Sequence, residues 1–345
     1  MKQLLELVPL VANRIESPVL VLHGPIWPVT ELVSALAGHE VTCVQFDVHQ
    51  SARLKEKFEQ EKLTATILTV ADVWDVPTQF KTVIFPASAH ADRELKIDLI
   101  EQAYHVVAPG GRFISLSEHD RDNAFHKWHK KVYGGCSDSP RTDAGMAFWS
   151  TRNPADEPRA QRRHRMTYHA RIGESASMSF ESWPGTFGYG RFDAGSRAML
   201  EVADIRTGDK VLDMGCGDGS VGCLASQRVG TTGKITFVDS SVRAMKLTDI
   251  NAKANGVANY ELITSSTMTD LPTGAFDVVL ANPPYYANSE VGRLFIGTAR
   301  DVLRPGGRFY FVTKMPVQTI PEIVETFGQV NTVENRGYTV VTAQA

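Results

Sequence analysis

Residues 211–220 read VLDMGCGDGS, an apolar β-type segment that runs into a glycine-rich turn and then into a helical pattern. Its three glycines, Gly215, Gly217 and Gly219, allow the turn to adopt positive φ and to approach a ligand closely. In open α/β sheets, ligands bind at the carboxyl ends of the strands, where such a turn lies. This stretch therefore predicts a strand–turn–helix unit of an α/β sheet, with a ligand site at the turn.

The acidic residues around this turn indicate which ligand it suits. Asp213 ends the strand and is suited to order the turn or to bind a cationic ammonium group, and Asp239 ends the next apolar segment. A carboxylate about 20 residues beyond a glycine turn accepts ribose hydroxyls in nucleotide-binding α/β folds. The Asp-x-Gly-x-Gly-x-Gly form favours S-adenosylmethionine over a dinucleotide, whose turn has the spacing Gly-x-Gly-x-x-Gly. For the glycines alone, a tight βα turn without a ligand is the alternative.

The chain contains two copies of one pattern, and each copy alternates apolar β-rich runs with helical runs. Because the β-rich runs are continuously apolar, both faces of each sheet should be covered. We expect an α/β fold with two tandem Rossmann-like domains, each a mostly parallel, doubly wound sheet with an antiparallel edge strand. The matching segments, first copy before second, are 19–24 and 211–216, 41–44 and 235–238, 80–85 and 276–281, and 107–114 and 303–310.

The predicted domain boundaries follow this duplication. Residues 1–150 form the first domain, 151–184 form a polar linker with a hairpin, and 185–345 form the second domain. The linker carries an arginine-rich run from Arg159 to Arg171 that has no acidic residue. Such a run predicts either a solvated surface or a phosphate-binding surface, and the sequence leaves both open.

A second motif lies at residues 276–286, which read FDVVLANPPYY and predict a strand that ends in Asn-Pro-Pro-Tyr. The Asn282 side-chain oxygen and the Pro283 carbonyl can together accept both hydrogens of an amino group. These bonds draw the nitrogen lone pair away from ring conjugation and toward a sulfonium methyl group. Pro284 restricts the chain, Tyr285 can stack on a planar base, and methyl transfer needs placement more than a strong base. The motif predicts methylation of an exocyclic amino nitrogen, with a proline-terminated loop as the alternative.

With these motifs, the second half resembles class I S-adenosylmethionine-dependent methyltransferases that carry an Asn-Pro-Pro-aromatic motif. The whole chain resembles the family of ribosomal RNA guanine-N2 methyltransferases of the small-subunit type, which have two tandem methyltransferase-like domains. The likeness includes the Pro-Gly-x-Phe and Asp-x-Gly-Ser segments at 184–187 and 193–196.

The resemblance implies S-adenosylmethionine as the cofactor and specific roles for residues of the second domain. The implied catalytic residues are Asn282, Pro283, Pro284 and Tyr285. The implied cofactor-binding residues are Phe187, Asp193, Asp213, Gly215, Cys216, Gly217, Gly219, Asp239, Ser240, Ser266 and Asn282.

In the same family the first domain has lost its cofactor motifs and helps to bind RNA or to support the fold. In this chain, residues 23–25 read His-Gly-Pro where the glycine turn would lie. Residues 85–88 read Phe-Pro-Ala-Ser where Asn-Pro-Pro-Tyr would lie. We therefore expect a degenerate, non-catalytic first domain.

The bulk properties place few limits on function. The chain has 345 residues and a net charge of −3, so no overall basic character marks a nucleic-acid binder. The four cysteines are scattered, which favours free thiols, and no run reaches the roughly 20 apolar residues of a membrane span. His126 and His129 have no further ligands nearby, so we expect no metal site and predict a solvated helix face there. We expect a monomeric cytoplasmic protein whose partner is ribosomal RNA or a ribosomal subunit, with no membrane association.

Other functions remain open at this point. N6-methylation of adenine, or N5-methylation of a glutamine side chain, would use the same Asn-Pro-Pro-Tyr chemistry. Tyr286 follows the motif where the guanine-N2 family more often has histidine, so guanine and adenine are both open. A non-enzymatic alternative is an RNA-binding ribosome-assembly module that binds the cofactor without turnover.

Overall fold

The chain divides into two units, Met1–His164 and Arg165–Ala345. Each unit contains a seven-stranded, mostly parallel sheet with antiparallel strands at one edge, so the predicted fold class is confirmed. The predicted linker is divided between the units, and its hairpin lies in the second. The computed structural model describes residues 4–88, 92–118, 123–157, 159–284 and 289–345.

The first unit forms one sheet. Its strands are β1 (Val19–Val21), β2 (Val41–Gln45), β3 (Thr66–Thr69), β4 (Phe80–Ala87), β5 (Val107–Ser117), β6 (Ser137–Asp138) and β7 (Met146–Thr151). Their order across the sheet is β3-β2-β1-β4-β5-β7-β6. Strand β1 pairs in parallel with β2 and β4, whereas β7 is antiparallel to β5 and β6.

Helices connect these strands, because parallel neighbours need crossover connections. They are α1 (Ile26–Ala35), α2 (Val48–Glu61), α3 (Arg93–Val106) and α4 (Asn123–Tyr133), with 3₁₀ turns at Leu4–Leu7, Ala12–Arg14 and Val73–Asp75. Asp47 caps α2, since its side chain accepts the Gln50 amide hydrogen at 2.9 Å.

The second unit adds a separate hairpin to a sheet of the same order. The hairpin strands are β8 (Met166–Ala170) and β9 (Met178–Ser182). The sheet strands are β10 (Lys210–Met214), β11 (Lys234–Asp239), β12 (Tyr260–Thr264), β13 (Phe276–Ala281), β14 (Leu303–Thr313), β15 (Val330–Asn335) and β16 (Tyr338–Gln344). Their order is β12-β11-β10-β13-β14-β16-β15, with β16 antiparallel to β14 and β15. The helices are α5 (Ala194–Val202), α6 (Ser220–Val229), α7 (Val242–Ala254), α8 (Ser289–Val302) and α9 (Pro316–Phe327).

The central strands of this sheet are covered on both faces, as the continuous apolar runs predict. Val211 and Val278 belong to one hydrophobic core together with residues of α6 and α7. Leu212 and Val279 belong to the other core, together with residues of α8. All four side chains are fully buried. Alternate residues of a strand point to opposite faces, so each face requires its own helical layer.

The strand order reverses between β10 and β13. We call the edge of the sheet at the carboxyl ends of these strands the functional edge. Strand β10 pairs in parallel with β11 on one side and β13 on the other. Because α6 covers one face and α8 the other, the connections leave the strand ends in opposite directions. A crevice therefore opens at the carboxyl ends of β10 and β13, where open α/β sheets bind ligands.

One prediction for the first unit is wrong. His129 does not lie on a solvated helix face but is fully buried. Its Nε2 and Nδ1 atoms are hydrogen-bonded with Ser115 Oγ at 2.9 Å and Ser150 Oγ at 3.0 Å. Burial, together with a smaller effect of the nearby His126, lowers the pKa of His129 to about 3. The sequence around α4 carries no sign of this, because both serines come from strands distant in the chain.

Within the ranges given above, no helix is both long and apolar enough to cross a membrane. The same ranges hold no group of three or more His, Cys, Asp or Glu side chains that could bind a metal ion. All four cysteines are free thiols, as their scattered positions predict.

Candidate functional site

The glycine-rich turn joins β10 to α6 at the functional edge. Gly215, Gly217 and Gly219 have φ values of +71°, +58° and +78°. A Cβ atom on Gly219 would lie 2.7 Å from Thr248 Cγ2, which is too close for any side chain. Glycine is required there both for the backbone conformation and for the space. The local geometry that the motif predicts is present.

Asp213 ends β10 as a buried carboxylate that fastens α6 to the strand. Its Oδ2 atom accepts the Gly222 amide hydrogen at 2.8 Å. Burial raises the pKa of Asp213 to about 7, with a smaller upward effect from the Asp218 and Asp239 carboxylates, although the Gly222 bond lowers it. Asp213 therefore orders the turn and places beside it a carboxyl whose pKa lies near neutral pH.

Asp239, at the end of β11, also orders the glycine turn. One carboxylate oxygen accepts the Gly217 amide hydrogen at 2.9 Å, and the other accepts that of Ser241 at 2.8 Å. Its backbone oxygen accepts the Ser265 amide hydrogen at 3.1 Å. Two further predicted residues, Ser240 and Ser266, adjoin Ser241 and Ser265 in the chain, so all of these groups lie at the same edge.

The amide group of Asn282, just after β13, is held in one orientation. Its Nδ2 atom donates to Asp193 Oδ2 at 2.9 Å and to Ser196 Oγ at 2.8 Å. The opposite orientation would set the amide oxygen against the Asp193 carboxylate. Because an amide nitrogen has only two hydrogens, these two acceptors engage both, and the Asn282 carbonyl oxygen lies on the other side.

A pocket lies between the turn and Asn282. Residues predicted from the sequence and lining it are Phe187, Asp193, Asp213, Gly215, Cys216 and Asn282. Gly217, Gly219, Asp239, Ser240 and Ser266 belong to the adjoining turn and strand ends instead. Phe187 is 46% exposed, so an aromatic face lies at the pocket wall.

The motif at the end of β13 is described only in part. Pro283 is buried and Pro284 is half-buried directly after Asn282. Tyr285, the fourth residue predicted to be catalytic, lies outside the described residues.

Several residues that line the pocket were not predicted from the sequence. They include Tyr168, Arg191, Ser196, Asp218 and Ser220. Ser196 and Asp218 lie inside motifs already recognised, so their positions gave a usable signal. Tyr168 comes from the hairpin, and no local pattern marks it.

The charges at the pocket suit a cationic ligand. Asp213 and Asp218 are both buried, and burial raises the pKa of Asp218 to about 6 although its hydrogen bonds lower it. Across the described ranges, their hydrogen-bond donors are the Gly222 amide, the Tyr168 hydroxyl and Ser220, which are all neutral. Buried carboxylates without a cationic partner favour a ligand that supplies positive charge.

Residues 177–342, nearly the whole second unit, match the model of the methyltransferase small domain family. The second unit is a methyltransferase small domain. The predicted resemblance of this half to class I methyltransferases is therefore confirmed.

Relatives of this domain are named as ribosomal RNA methyltransferases. The ribosomal RNA small subunit methyltransferase C of Chromohalobacter salexigens is 33% identical over 164 residues, which cover 45% of this chain and 48% of the relative. The ribosomal RNA large subunit methyltransferase G of Streptomyces griseus is 28% identical over 177 residues, which cover 49% of this chain and 46% of the relative. The chain thus spans about half the length of these curated relatives.

A solved structure extends the likeness beyond the methyltransferase small domain. The T. thermophilus 16S rRNA N2 G1207 methyltransferase (RsmC), in complex with AdoMet and guanosine, covers 98% of this chain with a TM-score of 0.75. The match covers 91% of that chain at 20% identity. At this identity the likeness shows the fold, and it includes both units.

The first unit has different side chains where the methyltransferase small domain has its site. His23 stands at the position of Gly215, and Gln45 at the position of Asp239. His23 Nδ1 and Gln45 Oε1 are hydrogen-bonded at 2.8 Å, and the imidazole stacks on Phe46 with ring centroids 4.9 Å apart. An imidazole ring thus stands where the methyltransferase small domain has a bare glycine.

The arginine-rich run before the methyltransferase small domain is partly engaged inside the first unit. Arg163 donates to both carboxylate oxygens of the buried Asp72, at 2.9 and 3.0 Å. The Arg159 guanidinium lies 4.4 Å from the Tyr104 ring centroid. These two side chains stabilise the unit, so the run is not simply a solvated charged surface.

Proposed function

We propose that this chain transfers a methyl group from S-adenosylmethionine to the exocyclic N2 amino group of a guanine in ribosomal RNA. The oriented Asn282 amide carries this proposal. Its nitrogen binds Asp193 and Ser196 beside the pocket, so its carbonyl oxygen is the end that can meet an incoming amino group. That arrangement accepts hydrogen bonds from NH2 and repels a carbonyl or phosphate oxygen.

S-adenosylmethionine suits the pocket by charge. Its ammonium and sulfonium groups are positive, which matches Asp213 and Asp218, and its carboxylate matches Arg191, which also lines the pocket. Asp239 would bind the ribose hydroxyls, with Ser240 and Ser266 toward the adenine. When bound, the cofactor supplies an activated methyl group on a sulfonium.

The residues at the end of β13 act by positioning the target amino group. The Asn282 and Pro283 carbonyl oxygens accept the two amino hydrogens, which turns the nitrogen lone pair away from the ring and toward the methyl group. The nitrogen–carbon bond forms as the sulfur–carbon bond breaks, and the surplus proton on nitrogen then leaves to water. Stacking of Tyr285 on the base, with Pro284 restricting the chain before it, completes the proposed arrangement.

Ribosomal RNA is supported as the substrate by the names of the relatives, which include both a small-subunit and a large-subunit enzyme. We favour guanine in the small subunit, because the tandem layout and the fold resemble a guanine-N2 enzyme of 16S rRNA. A paired target base would have to leave its helix to reach the pocket. Adenine N6, glutamine N5 and a cofactor-binding module without turnover remain the alternatives.

The first unit is proposed to be non-catalytic and to bind RNA or support the fold. His23 and Gln45 occupy the positions of the glycine turn and the ribose carboxylate. Where the Asn-Pro-Pro-Tyr motif would lie, this unit has Phe-Pro-Ala-Ser, which lacks the amide side chain that would accept an amino hydrogen. We also propose that the protein is a cytoplasmic monomer, which light scattering during size-exclusion chromatography would test.

The deciding experiment supplies radiolabelled S-adenosylmethionine and purified protein to separated ribosomal subunits from cells that lack this protein. Nucleoside analysis follows. Label in N2-methylguanosine of the small subunit supports the proposal. Label only in the large subunit would show that the target guanine lies in the large subunit instead. Label in N6-methyladenosine overturns the base but keeps the chemistry. If no label appears although cofactor binding is demonstrated, the assignment of RNA as the substrate is overturned, and a protein substrate or a non-catalytic role is favoured.

A further inference from the structure

Tyr168 belongs to the hairpin, yet its phenol reaches the pocket of the second sheet. The residue is 8% exposed, packs on Phe180 with ring centroids 5.4 Å apart, and lines the pocket. Its hydroxyl donates to Asp218 Oδ2 at 2.5 Å. This is a short bond to a buried carboxylate, of the kind that charge strengthens.

The partner, Asp218, lies in the glycine turn between Gly217 and Gly219. Its second oxygen, Oδ1, accepts hydrogen bonds from Ser220 Oγ at 2.7 Å and from the Ser220 amide at 3.1 Å. Both carboxylate oxygens are therefore engaged by neutral donors, and the carboxylate plane has one defined direction.

The hairpin is fastened to the same turn a second time. Asn251 donates to the backbone oxygens of Asp218 and Glu181, both at 2.8 Å, and its side-chain oxygen accepts the Glu181 amide hydrogen at 2.8 Å. Since Glu181 belongs to β9, this asparagine joins the hairpin to the turn. Tyr168 is thereby held in register with Asp218 by a contact that is independent of its own hydroxyl.

We propose that Tyr168 is a positioning residue that holds the Asp218 carboxylate toward the ammonium group of the cofactor's methionine moiety. The inference rests on the proposed function, because it requires that the pocket binds S-adenosylmethionine. A phenol that donates to a carboxylate stabilises its ionised form and limits its rotation, and an ionised, oriented carboxylate attracts an ammonium group most strongly. The hairpin thus becomes part of the cofactor site, although it contributes no strand to the sheet.

Calorimetric titration with two ligands tests this role. S-adenosylhomocysteine carries the ammonium group, whereas methylthioadenosine has the same nucleoside without the amino acid. We expect Tyr168→Phe to raise the Kd of S-adenosylhomocysteine about tenfold, because a hydrogen bond to a charged group is lost. The Kd of methylthioadenosine should change by less than about twofold.

Tyr260→Phe is the matched control. Tyr260 donates to Asp249 at 2.7 Å in the same unit but away from the pocket, so its loss should leave both Kd values unchanged. In an Asp218→Ala background, Tyr168→Phe should cause no further loss, because the tyrosine acts through that carboxylate. If Tyr168→Phe does not fold, Asp218→Ala alone must show the same selective loss for S-adenosylhomocysteine.

The outcomes separate this inference from the proposed function. An unchanged Kd for S-adenosylhomocysteine in Tyr168→Phe, or an equal loss for both ligands, overturns the positioning role and leaves the proposed function standing. Failure of the wild-type protein to bind S-adenosylhomocysteine or S-adenosylmethionine at all overturns both.

Discussion

The Asn282 amide nitrogen lies 2.9 Å from Asp193 Oδ2, and the same carboxylate oxygen accepts the Ser196 amide hydrogen at the start of α5. One oxygen atom therefore caps a helix and orients the side chain proposed to receive the substrate. Ser196 joins the arrangement twice, since its hydroxyl accepts from Asn282 as well. Helix α5 and the end of β13 are thus coupled through three polar groups.

Replacement of Asp193 by alanine should affect stability and turnover together. Loss of the helix cap should lower the free energy of unfolding by about 1 kcal/mol. Loss of the orienting acceptor should lower the methyl-transfer rate about 100-fold, because the Asn282 amide can then rotate. Urea unfolding and single-turnover methyl transfer measure the two effects.

Asp47→Ala is the matched control for that experiment, because Asp47 caps α2 in the first unit by an equivalent bond of 2.9 Å. It should lower stability to a similar extent and leave turnover unchanged. A full methyl-transfer rate in Asp193→Ala would show that Asn282 does not need this carboxylate.

Asn282→Ala should separate catalysis from cofactor binding. Removal of one of the two acceptors for the amino group should lower the methyl-transfer rate roughly 100- to 1,000-fold, while the Kd of S-adenosylhomocysteine stays within about twofold. Asn331→Ala, on the exposed edge strand β15, is the control. Retained turnover in Asn282→Ala would remove the basis of the proposed chemistry.

The affinity for S-adenosylmethionine should rise from about pH 5 to about pH 7.5. Burial raises the pKa of Asp213 to about 7 and that of Asp218 to about 6, so both carboxyls lose their protons within this window. A bound cation favours the ionised forms, so binding should release protons and the Kd should fall as pH rises. Calorimetry in two buffers of different ionisation enthalpy measures the released protons.

The same pKa shifts predict the opposite trend for the stability of the ligand-free protein. A raised pKa means that the folded state favours the protonated carboxyl. The stabilisation is complete below the unfolded value of about 3.9 and is lost as pH rises through the folded values. Asp213→Asn should flatten both trends, whereas the exposed variant Asp301→Asn on α8 should preserve them. A pH-independent Kd in the wild-type protein would contradict the assignment.

Acid should destabilise the first unit through His129. Its folded pKa of about 3 lies below the ordinary histidine value because of burial. Below about pH 6.5 the unfolded chain therefore binds a proton at this histidine, whereas the folded unit does not. The contribution of His129 to the free energy of unfolding is complete above that pH. It is lost as pH falls, by up to about 1.4 kcal/mol per pH unit.

Urea unfolding at neutral and mildly acidic pH measures this loss. His129→Gln should cost stability at neutral pH, because Ser115 and Ser150 lose a partner, but should reduce the dependence on pH. The exposed His49→Gln should preserve the wild-type dependence. An equal pH dependence in His129→Gln would indicate that other groups control acid unfolding.

Much of the fold and of the cofactor turn could be predicted from the sequence, since both depend on local backbone demands. Continuous apolar runs indicate strands covered on both faces, and the positive φ of Gly215, Gly217 and Gly219 explains why glycine recurs there. The order of these segments, repeated in both halves, leaves few topologies open.

The directions in which the functional side chains face could not be predicted from the sequence. Asn282 meets Asp193 across 89 residues of chain, and Tyr168 meets Asp218 across 50. The buried contacts of His129 likewise come from other elements. Local patterns encode backbone conformation and burial, whereas hydrogen-bond partners this far apart are set by how helices and strands pack. Sequence patterns are therefore enough to predict two tandem α/β sheets and the place of the site, whereas packing sets the orientation and charge of the groups within it.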